Sequence, residues 1–350
     1  MSDLTNERKI QHIHIVNEQE HIDRRKYYFD LIKLKHRALP ETDLNSIDPS
    51  ITFMGKKLSF PLLISSMTGG DHQLVREINR NCAIAAQETG IAMAVGSQRV
   101  MFTTPAAVES FRLRQYAPTI PLIANLGAVQ LNYGFDYRHC EQAVEVVGAD
   151  ALYFHLNPLQ EAVQPEGDTN FKGLAAKIAR ITAALSKPVI VKEVGAGISD
   201  DDAELLIEGG VRYVDVAGSG GTSWSYIEHY RNDDNHDLGE LFRDWGIPTP
   251  LALQMLAKYR DRLRLIASGG IRNGIDMAKS IILGASLCGM AKPFLQPAME
   301  SPQAVIKVIN QLKLEFVTTM FLLGIDKVQT LFGNQSLILN EQNIVNEGHV

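Results

Sequence analysis

Eight short apolar runs recur along this chain from Pro61 onward, each followed by a stretch whose apolar residues keep helical spacing. The runs are Leu62–Ser66, Ile91–Gly96, Leu122–Asn125, Ala151–Leu156, Val189–Glu193, Tyr213–Ala217, Leu263–Ala267 and Leu287–Ala291. They are apolar throughout rather than alternating, the pattern of parallel strands covered on both faces. Between them Val75, Ile78, Cys82, Ala85 and Ala86, or Leu174, Ile178 and Ile181, fall on one helical face. Gly90, Gly148, Gly210 and Gly284 stand between such helices and the next strand, where a C-cap is wanted. Eight βα units in one run predict an α/β fold, a (β/α)8 TIM barrel rather than an open doubly wound sheet.

Residues 1–60 lie outside the repeat and form an N-terminal extension; 61–300 make the barrel, and 301–350 a C-terminal helix and tail. In the extension, Tyr28, Leu31, Ile32 and Leu34 suggest a short helix stopped by Pro40, and Ile51–Phe60 a hairpin turning at Gly55. On composition alone the leader reads as a solvated terminus. Thr222–Pro250 interrupts the repeat with Trp224, Tyr226, His229, Phe242 and Trp245, and a long loop at the active face of a barrel is usually functional.

A net charge of −6 argues against a nucleic-acid surface, so an anionic ligand has to be met by local cations. Cys82, Cys140 and Cys288 lack metal-ligand spacing and read as reduced core thiols. No apolar run reaches the roughly 18 residues of a membrane span, and Met1–Thr5 carries no secretory pattern. The expectation is a cytoplasmic protein without membrane or nucleic-acid partners.

In this fold chemistry sits where strands end. From Leu263 to Phe294 the chain reads strand, glycine turn at Ser268-Gly269-Gly270, helix capped by Asn273, then strand. Backbone amides and helix starts after the seventh and eighth strands would cradle a phosphate. Lys192 ends an apolar strand and needs an anion, either Glu193 or a ligand that becomes anionic. The glycine turns, with Ser65, Ser97, Asn125 and Thr222, outline a flat polar ligand carrying a phosphate, which describes FMN; no G-x-G-x-x-G fingerprint is present. His155, Asn157, Gln160 and Glu161 lie within seven residues. Glu161 suits magnesium shared with substrate phosphates, and His155 alone reads equally as a hydrogen-bonded core histidine.

These residues resemble the type 2, flavin-dependent isopentenyl-diphosphate isomerases. The likeness runs through Arg8-Lys9 and His12, Ser65–Gly70, Val95–Arg99, His155–Glu161, Gln164–Asp168, Gly220–Trp224 and Ser268–Arg272. It is most specific at Asn157–Asp168 and Met67–Gly70. The resemblance implies interconversion of isopentenyl and dimethylallyl diphosphate, with reduced FMN, Mg2+ and NADPH to keep the flavin reduced. It implies Ser66, Met67, Thr68, Gly69, Ser97, Asn125, Lys192, Ser219, Thr222, Gly269, Gly270, Arg272, Ala291 and Lys292 as the flavin site. It places substrate on Arg8, Lys9, His12, Ser97, Arg99, Asn157 and Gln160, magnesium on Glu161, and catalysis around Gln160, Lys192 and His155. The leader then becomes a basic clamp over the substrate, and the protein a homo-oligomer, tetramer or octamer. Two other readings stand beside it. A flavin-dependent 2-hydroxy-acid oxidase would need a histidine base beside an arginine near the later strands, where Arg272 has no histidine with it. A phospholigand-binding barrel without catalysis would take up no flavin.

Overall fold

The computed structural model describes residues 11–17, 21–67, 69–231 and 237–339. Residues 11–17 are helical (α1). A hairpin follows, β1 Ile51–Phe53 and β2 Lys56–Leu58, turning at Gly55 as its sequence predicts. The eight barrel strands are β3 Leu62–Ile64, β4 Ala92–Ala94, β5 Leu122–Gly127, β6 Ala151–Leu156, β7 Val189–Glu193, β8 Tyr213–Asp215, β9 Arg264–Ser268 and β10 Ala285–Met290. Every predicted run overlaps one of them. All neighbours pair in parallel, and β10 closes on β3 through Cys288↔Leu62, Gly289↔Leu63 and Met290↔Ile64.

The helices are α2 Gln73–Thr89, α3 Tyr137–Val147, α4 Pro158–Val163, α5 Leu174–Ala184, α6 Asp200–Glu208, α7 Trp224–Arg231, α8 Leu238–Leu241, α9 Thr249–Leu256, α10 Gly274–Ile282, α11 Lys292–Glu300, α12 Pro302–Leu322 and α13 Val328–Leu331. Helix α2 shows why they form where they do. The His72 side chain accepts from the amide of Leu74, Val75, Ile78 and Cys82 bury one stripe, and Gly90 ends the helix in the left-handed region. The segment expected to be a helix after Arg24 is only a 3-10 turn, Tyr28–Leu31, because the extension stretches across neighbouring elements. Lys35 donates its amide to Leu337, Arg37 to Leu322 and Asp48 to Asp326. These external bonds replace the helical ones, and Phe29 and Ile22 are buried.

Two apolar clusters divide along the period of two in each strand. Leu62 and Ile64, Leu122 and Ala124, Leu152 and Phe154, and Val189 and Val191 face outward to the helices. Leu63, Ala92, Ala94, Ile123, Ala151, Tyr153, Ile190, Ile266 and Leu287 face inward. The hairpin inserts Phe53 and Leu58 among the inward set and so seals the N-terminal end of the barrel.

That seal is anchored at Asp150. Its Oδ2 accepts from Lys56 Nζ at 2.8 Å, Arg114 Nη2 at 2.8 Å and the Leu122 amide at 3.0 Å. Burial pushes the carboxyl up, but these partners outweigh it and hold Asp150 below the usual range. A depressed folded-state value means that the stabilisation is present above the unfolded aspartate value of about 3.9 and is lost as pH falls through the lower folded one. Asp150→Asn should cost about 1–3 kcal/mol at neutral pH, read by denaturant unfolding. The gap to wild type should close in acid, and a pH-independent gap would assign the loss to packing.

Candidate active site

The same period of two that fills the barrel interior also decides what stands at its open end. One step beyond the apolar layer, the inward positions are Ser65, Gly96, Asn125, His155, Lys192, Ala217, Ser268 and Gly289, one for each strand in turn. All eight line one cavity of about 660 Å³, within the size of ligand sites. Five of these side chains are serine, alanine or glycine, leaving flat open space; the three larger ones, on consecutive strands, are polar. At Gly289 a side chain is excluded, since a Cβ would stand 2.5 Å from Ser65 Oγ. Ser65 Oγ is buried and has no hydrogen-bond partner among the described residues. An orphaned hydroxyl beside a flat floor fits a ligand that brings its own polar edge.

Asn125 organises the polar side. Its Nδ2 donates to Ser66 Oγ (2.7 Å) and to the Val95 carbonyl (3.1 Å), so its Oδ1 must be the atom 2.7 Å from His155 Nδ1. His155 Nδ1 therefore carries the proton, and Nε2 is the basic nitrogen of the neutral ring. Lys192 is buried, and its Nζ donates to the Glu193 carbonyl (2.6 Å) and lies 5.8 Å from the Tyr153 ring centre. Among the described residues no carboxylate lies within ion-pair distance of it. The alternative partner, the Glu193 carboxylate, is taken up by the amides that follow it, those of Val194 and Gly195 at 2.6 Å and that of Ala196. Below Lys192, Asp215 accepts from Tyr153 (2.9 Å) and Ser268 (2.6 Å); burial pushes its carboxyl up, against the charge of Lys192.

The loops expected to cradle a phosphate interlock. Gly269 and Gly270 have φ of 91° and 79°, and a Cβ at Gly269 would lie 2.0 Å from the Gly218 carbonyl oxygen. Only glycine permits that approach. Ala291 and Lys292, starting α11, complete this side with Arg272, whose guanidinium lies 4.2 Å over the Tyr27 ring. Thr222 also lines the cavity here.

Across the cavity Asn157 Nδ2 donates to Glu161 Oε1 (2.7 Å), and Glu161 Oε2 accepts the Asp168 amide (2.7 Å). Asn157 Oδ1 is buried and has no partner among the described residues. Two oxygen donors, one anionic, suit Mg2+ completed by water and phosphate oxygens. Among the described residues no group of three or more His, Cys, Asp or Glu gathers as a metal cage. Gln160 Nε2 donates to Glu228 Oε1 (3.0 Å), which also meets His12 Nε2 (3.1 Å). Burial works to raise the Glu228 carboxyl, but His12, Arg231 and Gln160 outweigh it and hold it below the usual range. Arg99 reaches Asp168 at 2.7 Å, and Gln130 shares that oxygen at 2.9 Å.

Thus Ser66, Met67, Ser97, Arg99, Asn125, His155, Asn157, Gln160, Glu161, Lys192, Thr222, Gly269, Gly270, Arg272, Ala291, Lys292 and His12 are brought to one cavity. Ser219 and Gly69 are not on its wall. Ser219 is buried with its backbone tied to Ile247 and Thr249, and Gly69 turns toward the Phe111 ring. Arg8, Lys9 and Thr68 lie outside the described residues. Sequence reasoning missed Asp23, Gln130 and Glu228, which reach the site only through tertiary packing. For Glu228 a signal existed in its helical spacing from Trp224 and Arg231 within the insertion.

Residues 140–339 match the family model described as FMN-dependent dehydrogenase. The chain is 54% identical over 335 residues to the isopentenyl-diphosphate delta-isomerase of Hydrogenovibrio crunogenus, covering 95% of this chain and 98% of that protein. It is likewise 54% identical to the protein of that name from Paracoccus zeaxanthinifaciens, covering 95% and 96%. Among solved structures, an active mutant of (S)-mandelate dehydrogenase superposes with a TM-score of 0.67 at 16% identity, covering 95% of this chain and 98% of that one. At that identity the likeness shows a shared barrel and nothing of substrate. The fold, the strand-end cavity and these relatives agree: the chain belongs to the isopentenyl-diphosphate delta-isomerases, built on the barrel of the FMN-dependent dehydrogenase family.

Proposed function

We propose that the protein interconverts isopentenyl diphosphate and dimethylallyl diphosphate, holding FMN on the strand-end floor and Mg2+ at Glu161. The observation that carries this reading is Lys192, a buried lysine on that floor with no carboxylate paired to it among the described residues. When bound, reduced FMN supplies the acid–base chemistry at an electron-rich face, kept reduced by NADPH, and Mg2+ offsets the diphosphate charge.

The chain's own residues do the rest. Lys192 sets a positive charge beside the floor, and Ser66 and Asn125 fix hydrogen-bonding edges there. Asn125 holds His155 in the Nδ1–H tautomer, so His155 Nε2 is able to accept a proton. Glu228 fixes the orientation of the Gln160 amide, because a carboxylate accepts only from its Nε2. Asn157 and Glu161 supply oxygens for the metal, while Ser97, Arg99 and His12, with Arg8 and Lys9 of the leader, are assigned to the substrate. The apolar Ile13 and Val16 of α1 line the same cavity and help to exclude water from it.

Formation of dimethylallyl diphosphate from isopentenyl diphosphate, followed anaerobically with reductant, FMN and Mg2+, tests the reading; absence of turnover with flavin bound would refute it. Glu161→Gln should lose most activity at ordinary magnesium while retaining flavin, and full activity there would remove the metal assignment. Lys192→Met should still bind oxidised flavin, but its midpoint potential should fall by roughly 30 mV or more, as expected when a charge beside the reduced anion is lost. An unchanged potential would place the flavin ring elsewhere.

A further inference from the structure

The Asp23 carboxylate, from the N-terminal extension, reaches into the cradle. Its Oδ1 lies 3.0 Å from Lys292 Nζ and accepts the Thr222 hydroxyl at 3.2 Å. Both groups belong to the wall assigned above to the cofactor's phosphate, and Asp23 lines the same cavity. A carboxylate oxygen thus already makes the contacts expected of an anionic phosphate oxygen.

Its backbone is fixed. Asp23 forms an isolated antiparallel bridge with Thr222, and its carbonyl accepts from Arg243 Nη2 at 2.7 Å. Next along the chain the Arg24 amide donates to the Gly221 carbonyl at 2.9 Å, and Arg24 Nη2 donates to the Gly195 carbonyl at 2.6 Å. The carboxylate is therefore held at the cradle by its own main chain, and yields its partners only by side-chain rotation. A phosphate arriving there meets a negative charge that neutralises one cation and repels the dianion.

We propose that Asp23 is a specificity-setting competitor of the cofactor's phosphate: it contests Lys292 and Thr222 and so limits how strongly the site prefers a phosphorylated flavin over an unphosphorylated one. This rests on the cradle seating the FMN phosphate, and riboflavin, which has the same ring and no phosphate, separates the two claims.

Full-length protein freed of flavin is titrated with FMN and with riboflavin, and each Kd is read from flavin fluorescence. Asp23→Asn keeps the side-chain shape and removes the charge. It should tighten FMN roughly fivefold, the scale of a partly exposed charge contact, and leave riboflavin unchanged. Lys292→Met should weaken FMN but not riboflavin, and in that background the gain from Asp23→Asn should shrink, because part of it is the release of Lys292. An unchanged FMN Kd in Asp23→Asn, or an equal gain with and without Lys292, would overturn the proposal while leaving the cradle intact. Wild-type protein that binds FMN no better than riboflavin would overturn the cradle assignment and the proposal together.

Discussion

Closure of eight parallel strands into a ring forces every second side chain into a confined interior, and the rest of this molecule follows from that constraint. Inside, Leu63, Ile123, Ile190, Ile266 and Leu287 pack into one fully buried cluster. The next inward position on each strand is where the packed interior ends, so a change there from branched apolar residues to serine, glycine, asparagine, histidine and lysine opens a cavity. Site and core are the same periodic pattern read one step apart. Asp215 marks the transition, with Tyr153 and Ser268 satisfying its buried carboxylate just beneath the floor.

This explains what was legible in the sequence. The eight strands declared themselves because doubly buried strands are apolar at consecutive positions, and the polar residues at their ends stood out against that background. Lys192 was visible for that reason, and among the described residues the Glu193 carboxylate turns to the amides that follow it rather than to the Lys192 ammonium. The strand-end reading was weaker at the sixth strand. There the chain turns so sharply that Ala217 takes a positive φ of 36°, and Ser219 is carried off the wall. Local pattern gives no notice of such a turn.

The extension was the least legible part, because a strap has no period of its own. What holds it is a reciprocal pair of buried arginines. Arg24 donates to the carbonyls of Arg243 and Trp245, and Arg243 donates back to those of His21 and Asp23. Burial lowers the Arg24 guanidinium from its ordinary value, opposed by the charges of Glu193 and Asp244. Each guanidinium satisfies several main-chain oxygens at once, as a planar fork of donors can. The partners of these arginines lie some 200 positions away, so their role emerges only when the insertion and the extension are seen side by side. Glu228 owes its place to the same arrangement, since His12 comes from one of these segments and Glu228 from the other.

The hairpin plug has a kinetic corollary. With Phe53 and Leu58 filling one end of the ring, the cavity built by the described residues lies at the other, where the strands end. A vessel with one mouth fills from the bottom. A flat group lying against the strand ends has to arrive before anything stacked above it and leave after it, so exchange of the lower occupant waits on departure of the upper one. The order of traffic through a site so built would be imposed at the far end of the barrel, by two apolar side chains that do not line the cavity.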